Sequence, residues 1–133
     1  MKKAKTRQRE INFSSQKCQR IICVNDSAEQ EYALKLEADE QVMSYEENVS
    51  LDRKNFQYIN RIGIRTAYFG IDWKTDFLIR KVNGALAVCE LVKPGDLDKV
   101  TVLEQLELSR RYWEVTGVTD WKIVLIVRGT DVS

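Results

Sequence analysis

Thr75-Asp76-Phe77-Leu78-Ile79 and Cys89-Glu90-Leu91-Val92-Lys93-Pro94 are two apolar runs, each with charge at a defined place, separated by a short polar turn. Alternation, β-branching and the Asn83-Gly84 turn signal predict a hairpin: a strand from Asp76, a turn at Lys81 to Gly84, and a strand from Ala85 to Lys93. Such a hairpin holds Asp76 close to Lys93. A carboxylate beside an ammonium suits metal-assisted phosphodiester hydrolysis, in which the carboxylate holds Mg²⁺ against the phosphate while the lysine orients or helps deprotonate water. A surface ion pair between strand ends is the plainer alternative.

Upstream, Asn25-Asp26-Ser27-Ala28-Glu29 has the form of a helix start, with Asp26 or Ser27 as N-cap and Glu29 in the favourable first turn. Tyr32, Ala33 and Leu36 then lie at helical spacing for a buried stripe, Glu31, Lys35 and Glu37 read as solvated, and the helix ends near Ala38-Asp39. Helix carboxylate, strand aspartate and strand lysine are the parts of the PD-(D/E)xK nucleases.

Three blocks carry a closer likeness. They are Ser27-Ala28-Glu29 running through Leu36-Glu37 to Tyr45-Glu46-Glu47, then Thr75-Asp76-Phe77-Leu78, then Val92-Lys93-Pro94 followed by Leu103-Glu104-Gln105-Leu106-Glu107-Leu108-Ser109-Arg110-Arg111-Tyr112-Trp113. In that order the stretch from Ser27 to Trp113 resembles the N-terminal catalytic domain of TnsA, the endonuclease subunit of heteromeric cut-and-paste transposons. The resemblance implies a restriction-endonuclease-like α/β fold, with a mixed central sheet flanked by helices. It also implies a metal-dependent DNA endonuclease using Mg²⁺ or Mn²⁺, with Glu29, Asp76 and Lys93 catalytic and Glu29 and Asp76 on the metal. DNA is the implied substrate, a transposase or phage protein the implied partner, and a double-strand break needs a homodimer or that partner. The transposon subunit carries a further C-terminal domain that residues 128–133 do not supply, which favours a stand-alone phage or mobile-element nuclease or an excised domain.

One position departs from the pattern. The family has Glu or Gln two residues before the lysine, and here that place holds Leu91. By strand alternation Leu91 shares a face with Lys93 and Glu90 points the other way. Three solutions stand open: a backbone carbonyl near Leu91 or Val92 serves as the ligand, a bulge brings Glu90 into the site as an alternative ligand, or the centre does not cut and the fold serves as a DNA-binding or protein-interaction module. The carbonyl, assigned to Val92, ranks first. The pair Glu46-Glu47 is a rival to Glu29 for the helix carboxylate.

Composition sets outer limits. The 133 residues, 44% of them hydrophobic, suit a single domain over residues 11–133. Residues 1–10 read as a flexible tail with five basic residues against Glu10, in a chain of net charge +1, so the rest is slightly acidic. A basic arm of this kind can touch DNA phosphates or simply solubilise. The chain has no histidine, which removes His-based catalysis, and its three cysteines, Cys18, Cys23 and Cys89, form neither a paired framework nor a zinc set. No apolar run reaches ~20 residues and Met1 to Arg9 lacks a secretory pattern, so a cytoplasmic protein without a membrane span is expected.

Arg20 to Val24 reads as a strand, and Gln41 to Leu51 as an extended segment. Asp52 to Gly70 suggests strands joined by a turn at Asn60 to Gly63, from which Arg61, Arg65 and Lys74 would meet DNA. Asp96 to Gly117 predicts a long helix whose core stripe is Val102, Leu103, Leu106 and Trp113. Trp121 to Val127 predicts a strand buried on both faces.

Overall fold

The computed structural model of the protein describes residues 10–126, so the expected basic tail, apart from Glu10, and the last seven residues lie outside the described part. The fold is mixed α/β. A four-stranded sheet runs in the order β3 (Val42–Ser50), β4 (Lys74–Lys81), β5 (Leu86–Val92), β6 (Asp120–Leu125), antiparallel except for the parallel β5–β6 pair. A separate antiparallel hairpin, β1 (Ile11–Ser15) with β2 (Arg20–Val24), packs with helix α1 (Ser27–Ala38) over one face, while α2 (Val100–Val115) covers the other.

The hairpin that decides the sheet forms as its alternation dictates. Phe77, Ile79, Ala87 and Cys89 enter the core on the α1 side, with Ile22, Val24, Ala33 and Leu36. Val88 and the partly buried Leu78 and Leu86 face α2, against Leu108, Tyr112 and Trp113. Phe77, Val88 and Leu108 are fully buried, and burying side chains of this size contributes roughly 1.5–3 kcal/mol each. At the turn the Lys81 N–H donates to Ala85 O at 2.8 Å, and Gly84 takes φ +90°, where a side chain is strained.

Helix α1 starts as its sequence predicts. Asp26 is the N-cap, its Oδ1 accepting the Glu29 N–H at 2.9 Å, and Glu29 Oε1 accepts the Asn25 N–H at 3.0 Å. Asp26 thus satisfies one of the first donors of the helix, and Glu29 reaches back to the N–H of the residue before the cap. Glu37 is not solvated as expected: Ser15 and Tyr45 each donate to its Oε1 at 2.7 Å and the Lys17 N–H to its Oε2 at 3.0 Å, pinning the β1–β2 turn to α1 and β3.

Four expectations are corrected. Asp52 to Gly70 holds two 3₁₀ helices, Arg53–Tyr58 and Thr66–Gly70, rather than strands. Phe56 and Ile59 are buried at the i, i+3 spacing of a 3₁₀ turn, and Asp52 caps the first by accepting the Lys54 N–H at 3.0 Å. A 3₁₀ turn, Pro94–Asp98, precedes α2, which starts only at Val100. The buried stripe of α2 is Leu108, Ser109, Tyr112 and Trp113, while Leu103 is exposed. Finally, β6 is not buried on both faces: among the described residues it is an edge strand with one neighbour, and Ile123 and Leu125 are exposed.

Candidate metal centre

The site is built where the sheet turns over. Residues i and i+2 of a strand share a face, yet Phe77 packs on the α1 side while Thr75 accepts the indole N–H of Trp113 from α2 at 2.7 Å. The paired strand β3 rolls at the same level: Glu47 reaches β2, Val49 packs toward α2, and Asn48 between them takes φ +51°. Asparagine is among the few L-residues that enter this left-handed region readily. Asp76, between Thr75 and Phe77, sits at the roll and meets groups from both layers.

At that point the β4–β5 ladder ends. The last paired residues are Phe77 and Cys89. Beyond them each strand's carboxylate takes the other strand's N–H: Asp76 N donates to Glu90 Oε1 at 3.1 Å, and Leu91 N donates to Asp76 Oδ2 at 2.7 Å. Glu90 Oε2 also accepts from the hydroxyls of Thr75, at 2.9 Å, and of Ser109. Glu90 is buried, and no buried side-chain polar atom among the described residues lacks a partner.

Two carboxylates held together out of water resist ionisation. Burial pushes Asp76 up to about 8; the Glu90 charge adds to the rise, the Leu91 N–H opposes it, and the Glu29 charge adds a further increment. Burial likewise raises Glu90, against the donors from Ser109, Asp76 N and Thr75. Asp76 Oδ2 takes the Leu91 N–H and Glu90 Oε1 the Asp76 N–H, and the two carboxyls also lie within hydrogen-bonding reach of each other. Hard carboxylate oxygens suit Mg²⁺ or Mn²⁺, and Mg²⁺ is usually held by only one or two carboxylates, with water and substrate phosphate completing its shell. Asp76 and Glu90 would be the two carboxylates on offer to such an ion; among the described residues no group of three or more His, Cys, Asp or Glu that could hold a metal occurs.

A cavity of about 300 Å³ opens over the pair, with Thr75, Gln105 and Ser109 on its polar side, Trp73, Val102 and Leu106 among its apolar walls, and Lys74 and Asp96 also lining it. Of the residues expected from sequence, Asp76, Glu90, Val92 and Lys74 line this cavity directly. Glu29, half-buried at the start of α1, approaches Asp76 closely enough for its charge to be felt but does not line the cavity. Lys93 is exposed one residue beyond β5, and among the described residues no ion pair joins it to Asp76.

The Val92 carbonyl, the backbone ligand expected from sequence, accepts the Ile126 N–H at 2.9 Å and so points toward β6. The N–H and C=O of one strand residue point the same way, so Leu91, whose N–H meets Asp76, turns its carbonyl to the β4 side. Nor does Glu90 need a bulge to reach the site, because the β5–β6 register is regular from Ala87 to Val92. The roll of β4 brings Asp76 to Glu90 instead.

Arg61 stacks over Phe69 at 4.2 Å within the loop region that follows β3, and Arg65 pairs with Glu104 of α2 at 3.4 Å; neither lines the cavity. Glu47, the rival carboxylate, binds Arg20 at 2.8 Å and the Cys23 N–H at 2.8 Å, which ties β2 to β3. Sequence reasoning missed Ser109, Thr75, Trp113 and Trp121. The available signal was a serine on the apolar stripe of α2 one residue after Leu108.

No family model matches this chain, and no curated protein matches it. Among the described residues no helix is long and apolar enough to cross a membrane.

Proposed function

We propose that the protein is a metal-dependent DNA endonuclease of the TnsA-like, restriction-endonuclease-like type. It would nick phosphodiester bonds in mobile-element or phage DNA, in the cytoplasm, alone, as a homodimer or with a transposase. The single observation that carries this reading is the Asp76–Glu90 carboxylate pair at the opened end of the β4–β5 ladder, beneath a cavity. The three sequence blocks that resemble the transposon endonuclease support it independently.

In this reading the Asp76 and Glu90 carboxylates and the Leu91 carbonyl would hold the divalent ion, with Glu29 adding negative charge from the α1 side. When bound, the ion stabilises charge on the scissile phosphate and acidifies a water. Lys74, on the cavity wall, holds a phosphate oxygen by charge. Lys93 lies in sequence between Val92 and Asp96, both of which line the cavity, and its ammonium orients the attacking water. Arg61 and Arg65 contact the DNA backbone from the exposed loops.

A second reading, a fold that binds DNA or protein without cutting, draws on Leu91 and on the hydrogen bonds that already occupy Glu90. Purified protein incubated with supercoiled plasmid and Mg²⁺ or Mn²⁺ separates the two. Nicking that is lost in Asp76→Ala and Lys93→Ala supports the endonuclease; intact plasmid together with DNA binding unaltered by Asp76→Ala supports the binding module.

A further inference from the structure

Glu90 is held by a branched network that reaches both α2 and β6. In one branch the Trp113 indole N–H donates to Thr75 Oγ1 at 2.7 Å, and Thr75 donates to Glu90 Oε2 at 2.9 Å. In the other the Trp121 indole N–H donates to Ser109 Oγ at 2.9 Å, and Ser109 donates to the same oxygen. An indole N–H can only donate, and a hydroxyl has one proton. Each hydroxyl that accepts an indole must therefore spend its proton on Glu90, so both rotors and the carboxylate are fixed in one arrangement. Thr75, Glu90 and Ser109 are all buried, where such bonds are strong and a missing member is costly.

We propose that Ser109, buttressed by Trp121, is a positioning residue for the metal centre: it holds Glu90 so that Oε1 faces the ion, and it transmits occupancy of the site to α2 and β6. The inference rests on the metal reading of the Asp76–Glu90 pair. Groups that orient a metal-binding carboxylate typically carry 10–100-fold of the metal affinity when removed. The ion draws electron density from Glu90, which changes what the two hydroxyls, and through them the two indoles, experience. Neither indole needs to touch the ion. Trp73 completes the set of three tryptophans and lies off the network, its indole donating to Tyr68 O at 2.7 Å.

The test follows the three indole N–H signals and the Asp76 amide of the full chain by ¹⁵N NMR during Mg²⁺ titration. Expected is a saturable shift of Asp76, Trp113 and Trp121; Trp73, which lines the cavity but lies off the network, reports only the direct effect of the ion. In Ser109→Ala the Trp121 response is lost, the Trp113 response is kept, and half-saturation needs at least about tenfold more Mg²⁺. Ser109→Thr restores both, and Trp121→Phe, which keeps the ring and removes the donor, weakens Mg²⁺ binding in the same direction. An Asp76 shift in the wild type with a Trp121 signal that does not move, or with unchanged half-saturation in Ser109→Ala and Trp121→Phe, overturns this inference alone. No Mg²⁺-dependent shift of Asp76 overturns the metal reading and the inference with it.

Discussion

Asp76 and Glu90 stand in for each other's backbone partners where β4 and β5 separate: the Asp76 N–H donates to Glu90 Oε1 at 3.1 Å, and Asp76 Oδ2 accepts the N–H of Leu91, the residue after Glu90, at 2.7 Å. An ordinary ladder would have continued here with carbonyl acceptors. Substituting carboxylates places two acids side by side in a buried position, which costs stability unless a cation joins them. Asp76→Asn keeps an oxygen for Leu91 and removes the charge. The variant is therefore more stable than the wild type in chelator-treated buffer, by about 1 kcal/mol or more, and it no longer gains stability from Mg²⁺. Thermal unfolding of both proteins with and without Mg²⁺ checks this; a wild type that outlasts the variant without metal contradicts it.

In the proposed metal centre Glu90, rather than the Leu91 side chain, is the ligand. Leu91 packs against the α1-side core, so Leu91→Met, a near-isosteric change, leaves Mn²⁺ affinity unaltered and costs under about 1.5 kcal/mol of stability. Glu90→Gln lowers Mn²⁺ affinity at least about tenfold. Equal affinities for the two variants would show that Glu90 plays no part.

Arg111 fastens the loop before the second 3₁₀ helix to α2, donating to Asn60 O at 2.6 Å and Ile62 O at 2.8 Å while Glu107 holds its Nε at 2.6 Å. Lysine cannot reproduce that planar fork. Arg111→Lys speeds amide exchange in residues 60–64 with little change in the sheet. Protection of that loop equal to the wild type's would disprove the clamp.

Glu107 sets an acid limit to stability. Hydrogen bonds from Arg110 and Arg111 hold its carboxyl down at about 2, below the value of about 4.3 in an unfolded chain. Because the folded value is the lower one, the contribution is fully present above about 4.3 and disappears as the pH falls toward 2. Melting temperatures between pH 5 and 2 show the decline, and Glu107→Gln is less stable than wild type at pH 7 with a shallower fall in acid. Parallel declines would mean that Glu107 contributes nothing.

Leu108 anchors α2 and is fully buried among Phe56, Val88 and Tyr112 in the α2-side core. Leu108→Ala costs about 2–5 kcal/mol in urea unfolding. A loss under 1 kcal/mol would place the core of α2 elsewhere.

The central hairpin and the start of α1 were legible because local rules decide them: alternation and Asn83-Gly84 for the one, Asp26 and Glu29 for the other. The region around Arg53–Gly70 was not, since Phe56 and Ile59 satisfy an i, i+3 turn as readily as an irregular strand. In β6, the apolar run Ile123 to Val127 gives no hint of its place at the sheet edge, which pairing order alone sets. Asp76 was found from its charge in an apolar strand. Its partnership with Glu90 was hidden because alternation puts Glu90 on the far face, and only the roll at Asn48 and Asp76 brings the two together. Asn48, a poor strand former inside β3, was the available sign. Ser109 was hidden by the register of α2, read from Leu103 and Leu106 rather than from Leu108 and Tyr112.

The most direct measurement is a calorimetric titration of Mn²⁺ into the wild type, Asp76→Ala and Glu90→Gln. The proposed metal centre predicts saturable binding in the wild type, its loss in Asp76→Ala, and weakening of at least about tenfold in Glu90→Gln. No binding in the wild type, or binding of equal strength in all three, would contradict it and leave the carboxylate pair a structural feature of a non-cutting fold.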